Sequence, residues 1–278
     1  MRLDLHVHTN FSDGDYSPQQ IAQMAREAGL DGVAITDHDE CRGFGKLEPV
    51  PGLILISGIE IAAHEGGSEV HVLGLGIDWR HEAMAGYSER ATGRRRRRAQ
   101  TVTEKLRAAE YDIELADVER AAGSGMIGRP HIARALVEKG YAESVGDAFD
   151  RFVGRQAPFY VSLEKISAAD AAAMILQAGG KPVLAHPGLL KPGIYDSLAE
   201  KLTDAGFWGI EAYHPSHTDG QCRIYESEAR RLGLYVSAGS DFHGTLGQGT
   251  VLGNEKRGGA YLQKSFQVLS DSLGSVMR

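Results

Sequence analysis

Leu3-Asp4-Leu5-His6-Val7-His8 alternates apolar and polar residues, which puts Leu3, Leu5 and Val7 on one face of a predicted strand and Asp4, His6 and His8 on the other. Tyr16-Ser17-Pro18 opens a helix, with Ser17 placed to cap it and Pro18 at its first position. Through Ile21, Met24, Ala25 and Ala28 that helix is predicted to run to about Gly29. Residues 30–36 read as a second strand that ends in Asp37-His38-Asp39. Strand, helix, strand with strongly apolar strands points to an α/β fold with a largely parallel sheet. Working outward, residues 53–61 and 70–75 read as further strands. After residue 166, helices at about 167–178, 194–205 and 220–232 precede strands around 181–185, 207–213 and 234–240. Seven strands result, a number that suits an open sheet or a barrel.

The stretch 79–165 breaks this alternation with helical segments alone, and it reads as a small helical insertion, or cap, within a body made of 1–78 and 166–278. Arg94 to Arg98 is a run of five arginines, most simply a solvated helix face and secondarily a phosphate-backbone contact. The 278 residues carry 30 Lys and Arg against 37 Asp and Glu, a net charge of -7 that argues against broad nonspecific duplex binding. Two cysteines, Cys41 and Cys222, are too few for a disulfide scaffold or a thiolate metal site. No apolar run reaches the ~18 residues of a membrane span. The opening MRLDLHVHTN is unlike a signal peptide, so a cytoplasmic location without a membrane is expected.

Eleven histidines are present, and they gather at strand ends. In His6-Val7-His8 both imidazoles project from one strand face and can reach one ion. Asp13 follows in a loop before Gly14, and His38 closes the second strand. Glu60 is a lone carboxylate within Ser57-Gly58-Ile59-Glu60-Ile61, costly to bury unless paired or bound to a cation. His71, His186 and the pair Asp241 and His243 occupy the ends or interiors of later strands. Six histidines and three carboxylates at strand ends exceed the needs of one ion and suit two or three divalent ions. Zinc, manganese and iron all accept such N/O ligands. Closely spaced ions activate a water and neutralise charge on the attacked centre, so hydrolysis of a phosphoester or an amide is the natural chemistry.

The order His6-x-His8, Asp13, Asp37-His38, Glu60, His71, His186, Asp241-x-His243 resembles the polymerase-and-histidinol-phosphatase (PHP) family of metal-dependent phosphoesterases, over nearly the whole chain. The resemblance implies a distorted (β/α)7 TIM-like barrel of the PHP type with a trinuclear site at the strand C-termini. By motif, His6, His8, Glu60 and Asp241 would hold one ion, Glu60, His71 and His186 a second, and Asp13, His38 and His243 a third. Manganese is the choice by resemblance, with zinc or iron admissible. The segments Gly128-Arg129-Pro130-His131-Ile132-Ala133 and Glu211-Ala212-Tyr213-His214-Pro215-Ser216-His217 resemble the TrpH/YciV-type branch of the family. That branch implies removal of the 3'-phosphate from nucleoside 3',5'-bisphosphates, or 5'-to-3' exonuclease action on short single-stranded RNA. A non-catalytic metal-stabilised module and an amide hydrolase are the contrasting readings.

Within this reading Asp13, His38, Glu60 and His214 carry the chemistry, through direct attack of a metal-held hydroxide on phosphorus and, for His214, contact with the leaving 3'-oxygen. Arg129 offers a planar fork for phosphate, and Ser124, His131 and His217 are further substrate candidates. Asp37 and Asp39 are expected to orient imidazoles by hydrogen bonds. Phe159 or Tyr160 could stack on a base. The partner implied is a small nucleotide or short RNA, with no obligate protein partner.

Overall fold

The computed structural model describes residues 1–244, 250–253 and 258–273. Seven strands pair in chain order: β1 (Leu3–Asp4), β2 (Gly32–Ile35), β3 (Ile54–Glu65), β4 (Ser68–Leu75), β5 (Lys181–Leu184), β6 (Gly209–Tyr213) and β7 (Tyr235–Ala238). All neighbours are parallel except β4, which runs against both β3 and β5. The expected parallel sheet is thus interrupted at one strand. The reason is local: β3 and β4 are joined only through Gly66 and Gly67, both at positive φ, a link that permits a hairpin and leaves no length for a crossover helix.

The first strand is shorter than its alternation predicts, because its backbone turns to the other end of the sheet. Leu5 N–H donates to the Ala238 carbonyl at 3.0 Å, His8 N–H to Phe242 at 2.9 Å, and Asp241 N–H to His6 at 2.9 Å. These bonds lay the first strand beside the last and curl the sheet into a nearly closed seven-stranded barrel. The buried Asp4 carboxylate fastens the seam, accepting from Ser240 N–H at 2.9 Å, Ser240 Oγ–H at 2.6 Å and Gly253 N–H at 2.7 Å. Closure carries the histidines of β1's extension and of the β7 end to the same mouth.

Around the barrel lie α1 (Pro18–Glu27), then α2 (Glu82–Ala108), α3 (Leu115–Ala122), α4 (Arg129–Glu138) and the short α5 (Val145–Ala148), followed by α6 (Ala168–Gln177), α7 (Ile194–Ala199), α8 (Asp219–Arg231) and α9 (Ala260–Ser272). Ser17 caps α1 reciprocally with Gln20. The helices α2 to α5 gather their own apolar cluster, with Val102, Leu106, Ile132, Leu136 and Phe152 at its centre. The first turns of α2 belong instead to the barrel core through Met84, Tyr87 and Ala91. One long helix therefore ties the inserted helices rigidly to the barrel.

The arginine run lies in the middle of α2, and it is not a uniform solvated face. Arg95 and Arg98 are 7% and 9% exposed, while Arg96 and Arg97 face solvent. The helical period accounts for this: Arg95 and Arg98 fall on the stripe of Ala91, Ala99 and Val102, which packs inward.

Candidate metal centre

Glu60 sits on β3 with its carboxylate at the centre of the barrel mouth. Its Oε1 lies 2.7 Å from His71 Nδ1, 3.0 Å from His186 Nε2 and 3.4 Å from His6 Nε2. Its Oε2 lies 2.6 Å from His38 Nδ1 and 3.3 Å from His8 Nε2. Asp241 Oδ1 stands 3.1 Å from His8 Nε2 and 3.4 Å from His6 Nε2. Asp13 Oδ1 is 3.4 Å from His243 Nε2, and its Oδ2 is 3.9 Å from His38 Nε2. All nine residues singled out as ligands in the sequence converge on this mouth.

The donor atoms form overlapping groups rather than three separate sets. Ligand atoms lying within 4.8 Å of one another form the groups His8, Asp13, His38 and His243; His6, Glu60 and His186; His6, His8 and Asp241; His6, Glu211 and His214; and His38, Glu60 and His71. His8 joins the groups of both Asp13 and Asp241, and His71 and His186 meet at Glu60 Oε1. The donor set fits divalent cations. His6 Nε2, His8 Nε2, His38 Nδ1, Asp13 Oδ1, Glu60 Oε2 and Asp241 Oδ1 are buried without a hydrogen-bond partner, an arrangement too costly to leave unfilled. Burial alone would raise the Glu60 carboxyl, yet His38, His71 and His6 hold it well below the usual range. Burial lowers His8 to about 3, helped by His243 and His38, so its imidazole is neutral and free to ligate. His186 and Asp241 adopt positive φ, at 23° and 52°, a strain of about 1–3 kcal/mol each that the surrounding contacts must hold.

Glu211, on β6, opens the segment that resembles the TrpH/YciV-type branch but was given no role from the sequence. Its buried carboxylate lies 3.1 Å from His6 Nδ1 and accepts the His186 backbone N–H at 2.7 Å, so it turns His6 Nε2 toward the mouth and positions His186. The signal was present, since Gly209-Ile210-Glu211-Ala212 is a lone carboxylate in an apolar strand, as Glu60 is. Close approach is required here: a Cβ on Gly239 would stand 2.3 Å from His6 Cβ and 2.8 Å from Glu211 Oε1. Glu211→Gln is expected to lower metal affinity about 10- to 100-fold, measured by competition with a coloured chelator, with the fold retained by circular dichroism.

Asp37 and Asp39 make no direct hydrogen bond to an imidazole, although Ser12, held by Asp37, stands 3.5 Å from His8 Nδ1. Asp37 accepts from Thr9 N–H, Thr9 Oγ1–H and Ser12 Oγ–H, which ties down the loop that carries Asp13. Asp39 accepts from Ala62 N–H, Tyr87 and Arg95, joining β3 to α2. Each carboxylate is consumed by neighbours closer than any ring. His217 is likewise consumed: its Nδ1 donates to the Ala212 carbonyl at 3.0 Å and its Nε2 accepts the Gly188 N–H at 3.1 Å, so no ring nitrogen remains for substrate. His214 keeps one. The Ser216 N–H donates to its Nδ1 at 3.2 Å, which leaves Nε2, 3.5 Å from Asp241 Oδ2, pointing into the mouth.

His131 accepts the Gly128 N–H on Nδ1 at 2.9 Å and so caps the start of α4. Burial lowers it to about 4. A histidine with a depressed folded value stabilises fully above its unfolded pKa of ~6.5, and that stability is lost as pH falls toward 4. Chemical denaturation at pH 7 and pH 4.5 should show a smaller pH-dependent loss in His131→Ala than in the parent, after a cost of about 1 kcal/mol at pH 7 for the lost cap.

The mouth opens into a pocket of about 130 Å³ whose opposite wall includes Arg98, Arg129, Tyr160 and Lys165. Arg98 Nε and Nη2 are buried and unpartnered. Burial, with Arg95 and Arg129 nearby, pushes Arg98 down to about 9, still cationic at neutral pH. The Arg129 guanidinium carbon lies 5.7 Å from the ring centres of both Phe149 and Tyr160. Phe159 faces away, stacked on Phe152 in the insertion core. Ser124 lines a second cleft on the other side of the Asp13 loop.

A PHP domain family model matches residues 4–145. The chain is 34% identical over 252 residues to the 5'-3' exoribonuclease Rnm of Escherichia coli K12, covering 86% of this chain and 84% of that one. It is 33% identical over 247 residues to the 3',5'-nucleoside bisphosphate phosphatase of Chromobacterium violaceum, covering 87% of each. A phosphoribosyl 1,2-cyclic phosphate 1,2-diphosphodiesterase of Eggerthella lenta is 31% identical over 255 residues, 88% of this chain and 95% of that one. Among solved structures, an amidohydrolase from Chromobacterium violaceum with bound sulfate superposes with a TM-score of 0.86 at 29% identity, covering 98% and 97% of the two chains.

Proposed function

Because the chain belongs to the PHP domain family and is a metal-dependent phosphoesterase, we propose that its reaction is removal of the 3'-phosphate from nucleoside 3',5'-bisphosphates, giving the 5'-monophosphate. The observation that carries this reading is the unpartnered guanidinium of Arg98 facing the ligand cluster across a small pocket. A substrate with one phosphate among the metal ligands and a second on the arginine wall satisfies both sides at once.

Two or three divalent ions, manganese by family resemblance, would be held by His6, His8, Asp13, His38, Glu60, His71, His186, Asp241 and His243. Such ions activate water at neutral pH and neutralise charge on the phosphoryl oxygens. The chain's own residues do the rest. Arg98 and Arg129 hold the phosphate that is not cleaved, and Tyr160 borders the nucleoside. His214, with Nδ1 occupied by Ser216, points Nε2–H into the mouth, placed to donate a hydrogen bond to the departing 3'-oxygen. Glu211 keeps His6 and His186 oriented throughout.

Manganese-loaded protein supplied with adenosine 3',5'-bisphosphate should release one phosphate and leave adenosine 5'-monophosphate, identified by chromatography. Adenosine 3'-monophosphate as product would contradict the assignment of the arginine wall. Turnover of a cyclic amide in place of both phosphate substrates would return the amide-hydrolase reading. A second reading, 5'-to-3' exonuclease action on short RNA, is favoured by the cleft beside the Asp13 loop that Ser124 lines.

A further inference from the structure

Asp13 reaches the other metal ligands from a tight loop that follows the extension of β1. The N–H groups of Ser12 and Gly14 both donate to the Thr9 carbonyl, at 3.0 Å and 2.9 Å, and Asp15 N–H donates to the His243 carbonyl at 3.1 Å. The barrel holds one side of this loop, through Asp37 on Thr9 and Ser12. The other side rests on the insertion. Met126 N–H donates to the Phe11 carbonyl at 2.9 Å. A Cβ on Gly125 would stand 2.6 Å from the Asn10 carbonyl oxygen and 2.9 Å from that of Ser12, so this glycine lets the insertion lie directly on the loop backbone. From α4, the half-buried Arg134 directs Nη2 to the Asp15 carboxylate at 3.1 Å and to the Asp13 carbonyl at 3.4 Å.

This geometry spares the ligand. The charge of Arg134 meets Asp15, and the Asp13 carboxylate is left to His243 and His38, at 3.4 Å and 3.9 Å. Because Asp15 also holds the His243 backbone, one guanidinium bears on both Asp13 and His243. Those two residues belong to a single donor group, completed by His8 and His38. A ligand loop that is ordered in advance loses less binding energy to its own ordering when the ion arrives. Resting on the reading of the chain as a metal-dependent phosphoesterase, we propose that the insertion builds the ion site of Asp13 and His243, and that Arg134 is the positioning residue through which it does so. The inserted helices are then more than a cover over the pocket: moving α4 away from the barrel loosens this ion before the others.

Manganese binding to the metal-free parent and to Arg134→Met, which keeps a side chain of similar length without the charge, tests this with no substrate present. Bound equivalents are counted from the paramagnetic resonance of free manganese. One equivalent should bind at least about tenfold more weakly in the variant, with the remainder unchanged. Arg134→Lys, which can keep a pairing with Asp15, should recover part of the loss. Turnover should carry the matching signature: the half-saturating manganese concentration rises by the same factor, and excess metal restores most of kcat. Amide hydrogen exchange of residues 10–15 should quicken in metal-free Arg134→Met. Equal binding in the parent and Arg134→Met overturns the proposal, and so does an equal weakening of every equivalent, which marks a general loss of packing. If the parent binds manganese but hydrolyses no phosphoester, the phosphoesterase reading fails by itself, and the binding comparison still decides the role of Arg134. A parent that binds no manganese overturns both.

Discussion

Glu60→Gln is expected to abolish turnover and most metal binding while leaving the barrel folded. Five of the six candidate histidine ligands lie within 3.4 Å of its two oxygens, so most of the imidazoles of the mouth meet on this one carboxylate. The amide keeps the shape but gives up the charge and places an N–H donor against ring nitrogens meant for cations. A loss of about 1000-fold or more in kcat/KM follows, on the scale of removing a principal electrostatic group from a catalytic site. Heat denaturation supplies a second readout. Manganese at 100 times its Kd stabilises the parent by about 2.7 kcal/mol per site, and Glu60→Gln should show little of that rise in Tm. A variant that still gained the full rise would place the ions elsewhere.

Arg98→Ala should produce the second largest change, and it should depend on the substrate. Truncating a buried guanidinium that meets a phosphate costs about 2–5 kcal/mol, or roughly 30- to 4000-fold in kcat/KM for adenosine 3',5'-bisphosphate. Adenosine 3'-monophosphate lacks the second phosphate, so its already slow turnover should change little. The loss should fall mainly on KM, because the arginine wall binds the phosphate that does not react. An equal loss on both substrates would assign Arg98 to the packing of α2 instead. Far-ultraviolet circular dichroism of the variant separates that outcome from unfolding.

Most of the nine candidate ligands were legible as polar residues in places where apolar ones are expected: His6 and His8 two apart on one strand face, Glu60 and His71 inside apolar strands, Asp241 and His243 at a strand end; Asp13, in a loop before Gly14, stood out only by its place in the family's order. Glu211 carried the same signal within the branch segment and was given no role, as it lies outside the family's ligand order. The curvature of the sheet was legible through the family resemblance, which implied a barrel, and not through strand count. Seven strands fit two architectures, and closure rests on Asp4, whose partners Ser240 and Gly253 are far away in sequence. The inward turn of Arg95 and Arg98 was missed because five identical residues hide the helical period, which only the flanking Ala91, Ala99 and Val102 reveal. His217 misled for the opposite reason: a histidine near a strand end reads as functional, and only the backbone groups of Ala212 and Gly188 show that both its nitrogens are spent.

Titrating metal-free protein with manganese while following phosphate release from adenosine 3',5'-bisphosphate tests the central claim most directly. Activity is expected to appear only with added metal, to reach its plateau at two or three equivalents per chain, and to vanish with chelator. Turnover that persists in chelator, or a full complement of bound manganese with no phosphate released, would contradict it.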